Sequence, residues 1–238
     1  MGARVVIGAS GGIGSALIAR LAARPEAGPV LALSRTRPDN LPEGVTWGPL
    51  DLGDEPTIAA AAAALDPDVP LDMVLVATGR LSAAGRTPEK SWRYLDAEAL
   101  TAAFLDNAIG PALAAKHFLP RLPRDQACVF AALSARVGSI GDNSLGGWYG
   151  YRASKAALNQ LIRTLAVELA RQRPQAICVA LHPGTVDTGL SAPFQSGVSA
   201  EKLFTPDFAA ERLLAVLAGL TPADSGGFFA WDGQPIPW

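Results

Sequence analysis

The sequence predicts an α/β protein, one doubly wound domain in which a mostly parallel sheet carries helices on both faces. Three observations predict it. Seven apolar runs of strand length alternate with segments of helical period along the 238 residues, as expected of parallel strands covered on both sides. A glycine-rich turn joins the first run to the first helical segment. No linker, low-complexity segment or internal repeat divides the chain, so residues 1–238 form a single domain.

The elements follow in order. Arg4 to Ile7 is the first strand, and Ile13 to Ala23 a helix with Leu17, Ile18 and Leu21 on one face. Val30 to Leu33 and Val45 to Trp47 are the next two strands. A helix opens at Asp54 or Glu55 and ends before Pro67. Met73 to Ala77 is a continuous apolar strand. Leu100 to Leu119 has helical period, with an interruption expected near Gly110-Pro111. Ala127 to Leu133 is a strand, and Tyr151 to Gln172 a long helix in which Leu158, Leu161, Ile162, Leu165 and Leu169 recur at helical spacing. Ile177 to Leu181 (strand), Pro206 to Leu220 (helix) and Phe228 to Trp231 (strand) complete the series. Three irregular stretches, Thr78 to Ala97, Ser134 to Gly150 and Pro183 to Thr205, each follow the carboxyl end of a strand, where open α/β sheets bind ligands. The last, residues 183–205, combines glycines, prolines and phenylalanines and is expected to form a substrate loop.

Composition narrows the function. Hydrophobic residues make up 49% and charged residues 18%, ordinary for a compact enzyme-sized protein. A net charge of −2 favours neither nucleic acid nor an anionic membrane as partner. The arginines outnumber the lysines sixteen to four but are scattered. Cys128 and Cys178 sit inside apolar runs, as buried reduced thiols do. His117 and His182 lack a surrounding ligand cluster, so no metal site is expected. No apolar stretch is long enough to span a bilayer, and a strand begins almost at once after Met1, so a cytoplasmic protein without a secretory leader is expected.

The first turn is Gly8-Ala9-Ser10-Gly11-Gly12-Ile13-Gly14. Glycines permit a tight turn and close approach of backbone to phosphate, and the helix that follows offers unpaired N–H groups and a favourable dipole. The spacing is one residue longer in its first gap than the common dinucleotide fingerprint. An acidic residue about twenty positions further on would bind a ribose 2′-hydroxyl. Here that position is Ser34, followed by Arg35 and Arg37. A guanidinium can bind a 2′-phosphate in bidentate fashion, and Ser34 can add a neutral hydrogen bond, so NADP(H) is expected over NAD(H).

Tyr151-Arg152-Ala153-Ser154-Lys155 places a phenol and an ammonium on one face of a helix. A nearby ammonium favours the phenolate and lowers the tyrosine pKa, equipping Tyr151 for proton transfer at a carbonyl or alcohol oxygen. Tyr149, six residues from Lys155, lies on another side and is read as a pocket or packing aromatic. Trp148, Phe194 and Phe204 are read as pocket-lining or as packing.

Together these motifs resemble the short-chain dehydrogenase/reductase family, over nearly the whole chain and in family order. Gly8, Gly12 and Gly14 match its glycine motif, and Asp51-Leu52 its adenine-contacting pair. Asn107 matches the helix asparagine of its active site, Ser134 the catalytic serine, and Tyr151 and Lys155 the Tyr-x-x-x-Lys pair. Pro183-Gly184-Thr185-Val186-Asp187-Thr188 matches the Pro-Gly motif beside the nicotinamide. Ser134 to Ile140 and Trp231-Asp232-Gly233 are similar to the C-factor-like branch. Two features depart: Val76-Ala77-Thr78-Gly79 stands where the family has Asn-Asn-Ala-Gly, and the gap from Ser134 to Tyr151 is longer than usual. The longer gap leaves Ser139 as a rival, with Ser134 preferred for its fixed place at a strand end.

The resemblance implies a Rossmann-like fold and an oxidoreductase that interconverts a small carbonyl or alcohol substrate. Tyr151 would protonate the oxygen, Ser134 would hydrogen-bond it, Lys155 would bind the ribose, and Asn107 would hold a relay water. Ser10, Ile13, Ala77, Gly79, Pro183, Gly184, Val186 and Thr188 would contact the cofactor. A homodimer or homotetramer is implied, with residues 107–119 and 151–172 at the interface. The competing expectation is a dinucleotide-binding signalling or sensor protein with little turnover. A methyltransferase on a similar sheet fits the second-strand arginines and the Tyr/Lys helix poorly.

Overall fold

The computed structural model describes residues 2–24, 28–81, 87–197 and 199–238. Residues 82–86 of the first irregular stretch and residue 198 of the last lie outside them.

Seven strands form one parallel sheet: β1 (Ala3–Ile7), β2 (Val30–Ser34), β3 (Val45–Pro49), β4 (Leu71–Val76), β5 (Cys128–Leu133), β6 (Ala176–His182) and, at the far edge, β9 (Phe228–Ala230). Their order is β3-β2-β1-β4-β5-β6-β9, and every pairing is parallel. The order reverses between β1 and β4, which opens a crevice at the carboxyl ends of the strands.

Helices cover both faces because strand residues alternate sides. Val5 and Ile7 of β1, Phe130 of β5 and Cys178 of β6 pack with Phe118 of α4 (Gly110–Phe118) and Leu158 and Ile162 of α5 (Tyr149–Gln172). α2 (Glu55–Ala63) contributes Ile58 to that layer. Val6, Ala131 and Val179 face the other way, onto Leu17 and Ile18 of α1 (Gly12–Ala22) and Leu213 and Leu217 of α6 (Pro206–Gly219).

Three local features differ from the sequence expectation. α3 (Ala97–Phe104) passes into a π-helical turn at Leu105–Ile109, so the interruption precedes Gly110-Pro111. Proline is tolerated in a first helical turn, where its missing N–H is not needed. Gly110 is there for close packing, since a Cβ would come within 2.6 Å of Leu52 Cβ. α5 begins two residues early, at Tyr149. The loop after β6 is partly ordered: β7 (Thr185–Val186) and β8 (Leu203–Phe204) pair in parallel and staple the base of the 183–205 segment.

Candidate active site

The crevice holds two adjoining hollows. One, of about 510 Å³, is lined by Ser10, Gly12, Ile13, Ser134, Tyr151, Lys155, Pro183, Gly184, Val186 and Thr188. The other, of about 260 Å³, is lined by Gly8, Ser34, Arg35, Asp51 and Leu52. Ser10, Gly11, Ala77, Thr78 and Gly79 line both, so the hollows form one elongated cleft. The structure thus gathers nearly every residue that the sequence nominated. Asn107 and Gly14 are the exceptions, placed just behind the walls.

Crowding explains three of the glycines. A Cβ on Gly14 would sit 2.1 Å from Gly8 O, and one on Gly8, whose φ is +95°, 2.8 Å from Ala77 O. One on Gly12 would meet Thr188 Cγ2 at 2.8 Å. Gly11 precedes α1 with no side-chain cap and no acid follows in the first turn, so the helix start is left to an anion. Beside it the buried Thr78 hydroxyl has no partner among the described residues. A narrow glycine cradle, an uncapped helix start and an orphaned hydroxyl in an elongated cleft fit a dinucleotide.

Arg35 is exposed at the rim of the smaller hollow. Arg80 pairs there with Asp106 at 2.6 Å. Burial raises the Asp106 pKa, while Arg80 and Arg35 pull it down. Ser34 is less available than its sequence position suggests. It donates to Thr36 O at 2.7 Å and accepts from Trp47 Nε1 at 3.2 Å, so its single proton is committed. Asp51 caps the backbone N–H of Gly53 at 2.9 Å.

At the other end, Tyr151 and Lys155 share the cleft, with Lys155 Nζ 6.0 Å from the Tyr151 ring centroid. The Tyr151 hydroxyl makes no hydrogen bond among the described residues. Lys155 is 2% exposed and donates to Leu133 O at 2.7 Å. Gly138 lets the turn after β5 approach α5, since a Cβ there would lie 2.8 Å from Lys155 Cβ. The expected lowering of the tyrosine pKa is overturned. Burial pushes the phenol up to about 12 and pushes the lysine down to about 7. Desolvation opposes both charged forms and outweighs their mutual attraction at this separation.

Two further nominated side chains already have hydrogen-bond partners. Ser134 Oγ donates to Asn159 Oδ1 at 2.6 Å and is 3% exposed, so it has no proton left for a reacting oxygen. Its rival Ser139 is 1% exposed and lies outside the cleft wall, accepting from Asp142 N at 3.1 Å. Both ends of the Asn107 amide grip the backbone of Arg80, each at 2.8 Å, and Nδ2 also reaches Ser154 Oγ at 3.1 Å. Asn107 therefore braces the wall, and its side chain is not free to hold a water.

The aromatic expectations divide. Trp148 and Phe194 line the cleft and pack edge to face at 5.4 Å, with Trp148 also 6.4 Å from Tyr151. Trp148 is the one non-glycine at positive φ (50°) among the described residues, a conformation costing about 1–3 kcal/mol. Its N–H donates to Glu89 O. Phe204 packs away from the cleft, on Trp231 at 4.7 Å and Phe208 at 4.8 Å. Tyr149 is half-buried and not in the cleft wall.

Residues 3–198 match the family model described as short chain dehydrogenase. The chain belongs to the short-chain dehydrogenase family. It is 31% identical over 238 residues to the 1-hydroxy-2-glutathionyl-2-methyl-3-butene dehydrogenase of Rhodococcus sp. (strain AD45), covering 98% of both chains. It is 38% identical to the C-signal of Myxococcus xanthus over 136 residues, 57% of this chain and 76% of that protein. Among solved structures, the NADPH-bound carbonyl reductase from chicken fatty liver superposes with a TM-score of 0.81 at 27% identity, over 99% of this chain and 98% of the other. The short-chain dehydrogenase assignment came within reach of sequence through the glycine turn and the Tyr/Lys pair. Asn159, Arg80, Thr78 and His182 escaped it. Asn159 follows Lys155 by one helical turn, a spacing that could have flagged it.

Proposed function

We propose that the protein is an NADP(H)-dependent oxidoreductase that interconverts a small, fairly apolar carbonyl compound and its alcohol. The observation that carries this reading is one continuous cleft that runs from the Gly8–Gly14 turn to Tyr151. The similarity to an NADPH-bound carbonyl reductase supports it.

Bound NADP(H) supplies or accepts the hydride at the carbonyl carbon. The protein residues do the rest. Gly8, Gly12, Ser10, Ile13 and Thr78 cradle the phosphates. Arg35 reads the 2′-phosphate, and Asp51 and Leu52 flank the adenine. Ala77, Gly79, Pro183, Gly184, Val186 and Thr188 wall the nicotinamide end. A phenol held near pKa 12 is fully protonated at neutral pH, as a proton donor to a carbonyl oxygen must be. As the Tyr151 proton leaves, Lys155 stabilises the phenolate; the negative charge of the dinucleotide favours the ammonium form that does so. Trp148, Phe194, Leu190 and Val137 exclude water and favour an apolar substrate.

We further place the chain in the C-factor-like branch, a placement supported by the likeness to C-signal. That likeness also favours a second reading, a dinucleotide-binding signalling or sensor protein of the same fold with little turnover. We read the protein as cytoplasmic and as a homodimer or homotetramer; among the described residues no helix is long and apolar enough to cross a membrane. NADPH consumption over a panel of aldehydes and ketones separates the two readings. Turnover supports the reductase, and tight NADPH binding with no turnover across the panel supports the sensor.

A further inference from the structure

Strand alternation carries His182 into the substrate end of the cleft. Ala176, Cys178 and Ala180 of β6 face α5, while Ile177, Val179 and Leu181 face α1 and α6. The next residue, His182, therefore returns to the α5 side. β5 runs alongside with Leu133 opposite Leu181, so Ser134 and His182 stand side by side at the two strand ends. Both line the cleft with Tyr151. Of the two, Ser134 has committed its proton to Asn159, and its neighbour Ala135 has none to give.

The two ring nitrogens of His182 differ. Among the described residues it is Nδ1, not Nε2, that is sealed from solvent without a partner. A sealed N–H without an acceptor is rarer and costlier than an under-used lone pair. The proton of the neutral ring therefore sits on Nε2, the accessible edge. The ring is neutral at pH 7: burial first and the Arg136 guanidinium second hold its pKa down to about 4, against an opposing pull from Asp232.

We propose that His182 presents its Nε2–H to the cleft as a second hydrogen-bond donor, beside Tyr151, for the oxygen of the bound carbonyl or alcohol. The proposal rests on the carbonyl/alcohol reading above. It gives His182 the oxyanion-steadying part for which Ser134 has no proton, and it favours substrates whose reacting oxygen is unhindered on that side.

With only two histidines, His117 and His182, side-chain nitrogen-15 NMR of the NADPH complex resolves each ring, and His117→Gln assigns them. The expected spectrum shows His182 unprotonated at Nδ1 and protonated at Nε2. The Nε2 signal should move on addition of benzyl alcohol, which cannot react with reduced cofactor. His182→Phe should lose about 100-fold in kcat/KM on small ketones with NADPH affinity unchanged, and His182→Gln, which keeps an N–H, should recover part. A protonated Nδ1, an Nε2 signal indifferent to the alcohol, or full activity in His182→Phe overturns the proposal. Absence of turnover in the wild-type protein would instead defeat the carbonyl/alcohol reading, and the alcohol response at Nε2 would still decide the place of His182.

Discussion

Lys155 Nζ lies 6.0 Å from the centre of the Tyr151 ring, yet its hydrogen bond, at 2.7 Å, goes to the carbonyl of Leu133. The ammonium is held by the end of β5 and shares the cleft with the phenol without contacting it through a hydrogen bond. Burial governs both groups before a cofactor arrives.

That burial makes the cofactor-free protein pH-sensitive. The Lys155 pKa falls from 10.5 to about 7 on folding. Below pH 7 the native and unfolded chains both carry the ammonium, and the native state bears the whole desolvation penalty. Between about 7 and 10.5 the unfolded chain keeps a proton that the native chain has lost, so stability rises with pH. Urea midpoints for wild type and Lys155→Met should therefore converge in favour of the wild type from pH 7 to pH 9. Parallel curves would show that Lys155 is not desolvated.

Arg35 should distinguish the two nicotinamide cofactors. It is the exposed guanidinium at the rim of the smaller hollow, and bidentate phosphate contacts are among the stronger hydrogen bonds. Arg35→Ala should weaken NADPH by roughly 10- to 100-fold, as expected for loss of a charged hydrogen bond worth ~1.5–3 kcal/mol, and leave NADH nearly unchanged. Fluorescence titration with both cofactors measures this. Equal weakening of the two would remove Arg35 from 2′-phosphate recognition.

The glycine turn is graded in its tolerance. A methyl on Gly14 would be driven against Gly8 O at 2.1 Å, a backbone atom that cannot swing aside, whereas on Gly11 the nearest atom is 3.4 Å away. Gly14→Ala should abolish NADPH binding or lower the melting temperature markedly, and Gly11→Ala should do neither. Calorimetry of the two variants side by side checks the ranking.

Phe194 meets Trp148 edge to face at 5.4 Å in the cleft wall. Such pairs are worth about 0.5–1.5 kcal/mol beyond their buried area. Phe194→Ala should raise KM for aryl ketones by roughly 2- to 10-fold with little change in kcat. Unchanged KM would place Phe194 outside substrate binding.

Most of the fold was legible because strands buried on both faces write themselves as continuous apolar runs, as Val5-Val6-Ile7 and Ile177 to Leu181 do. The π turn at Leu105–Ile109 was not, since its register answers to packing of Gly110 on Leu52, a contact between distant segments. The β7–β8 staple was hidden by strands of two residues. In the site, the spacing of Tyr151 and Lys155 gave their proximity but not the desolvation that sets their pKa values. Ser134 was placed correctly at the strand end, yet its proton is taken by Asn159, a partner 25 residues away. His182 left a trace that could have been followed: the strand's alternation carries its side to the same face as Cys178 and Ala180.

In the proposed reaction Tyr151 delivers the proton to a substrate bound beside NADPH. The most direct measurement is the rate of NADPH oxidation with a reactive aldehyde, in wild type and in Tyr151→Phe, after titration establishes that both bind NADPH equally. A fall of roughly 100- to 10,000-fold in the phenylalanine variant is expected. A Tyr151→Phe protein that binds cofactor and turns over at the wild-type rate would rule out Tyr151 as the proton donor.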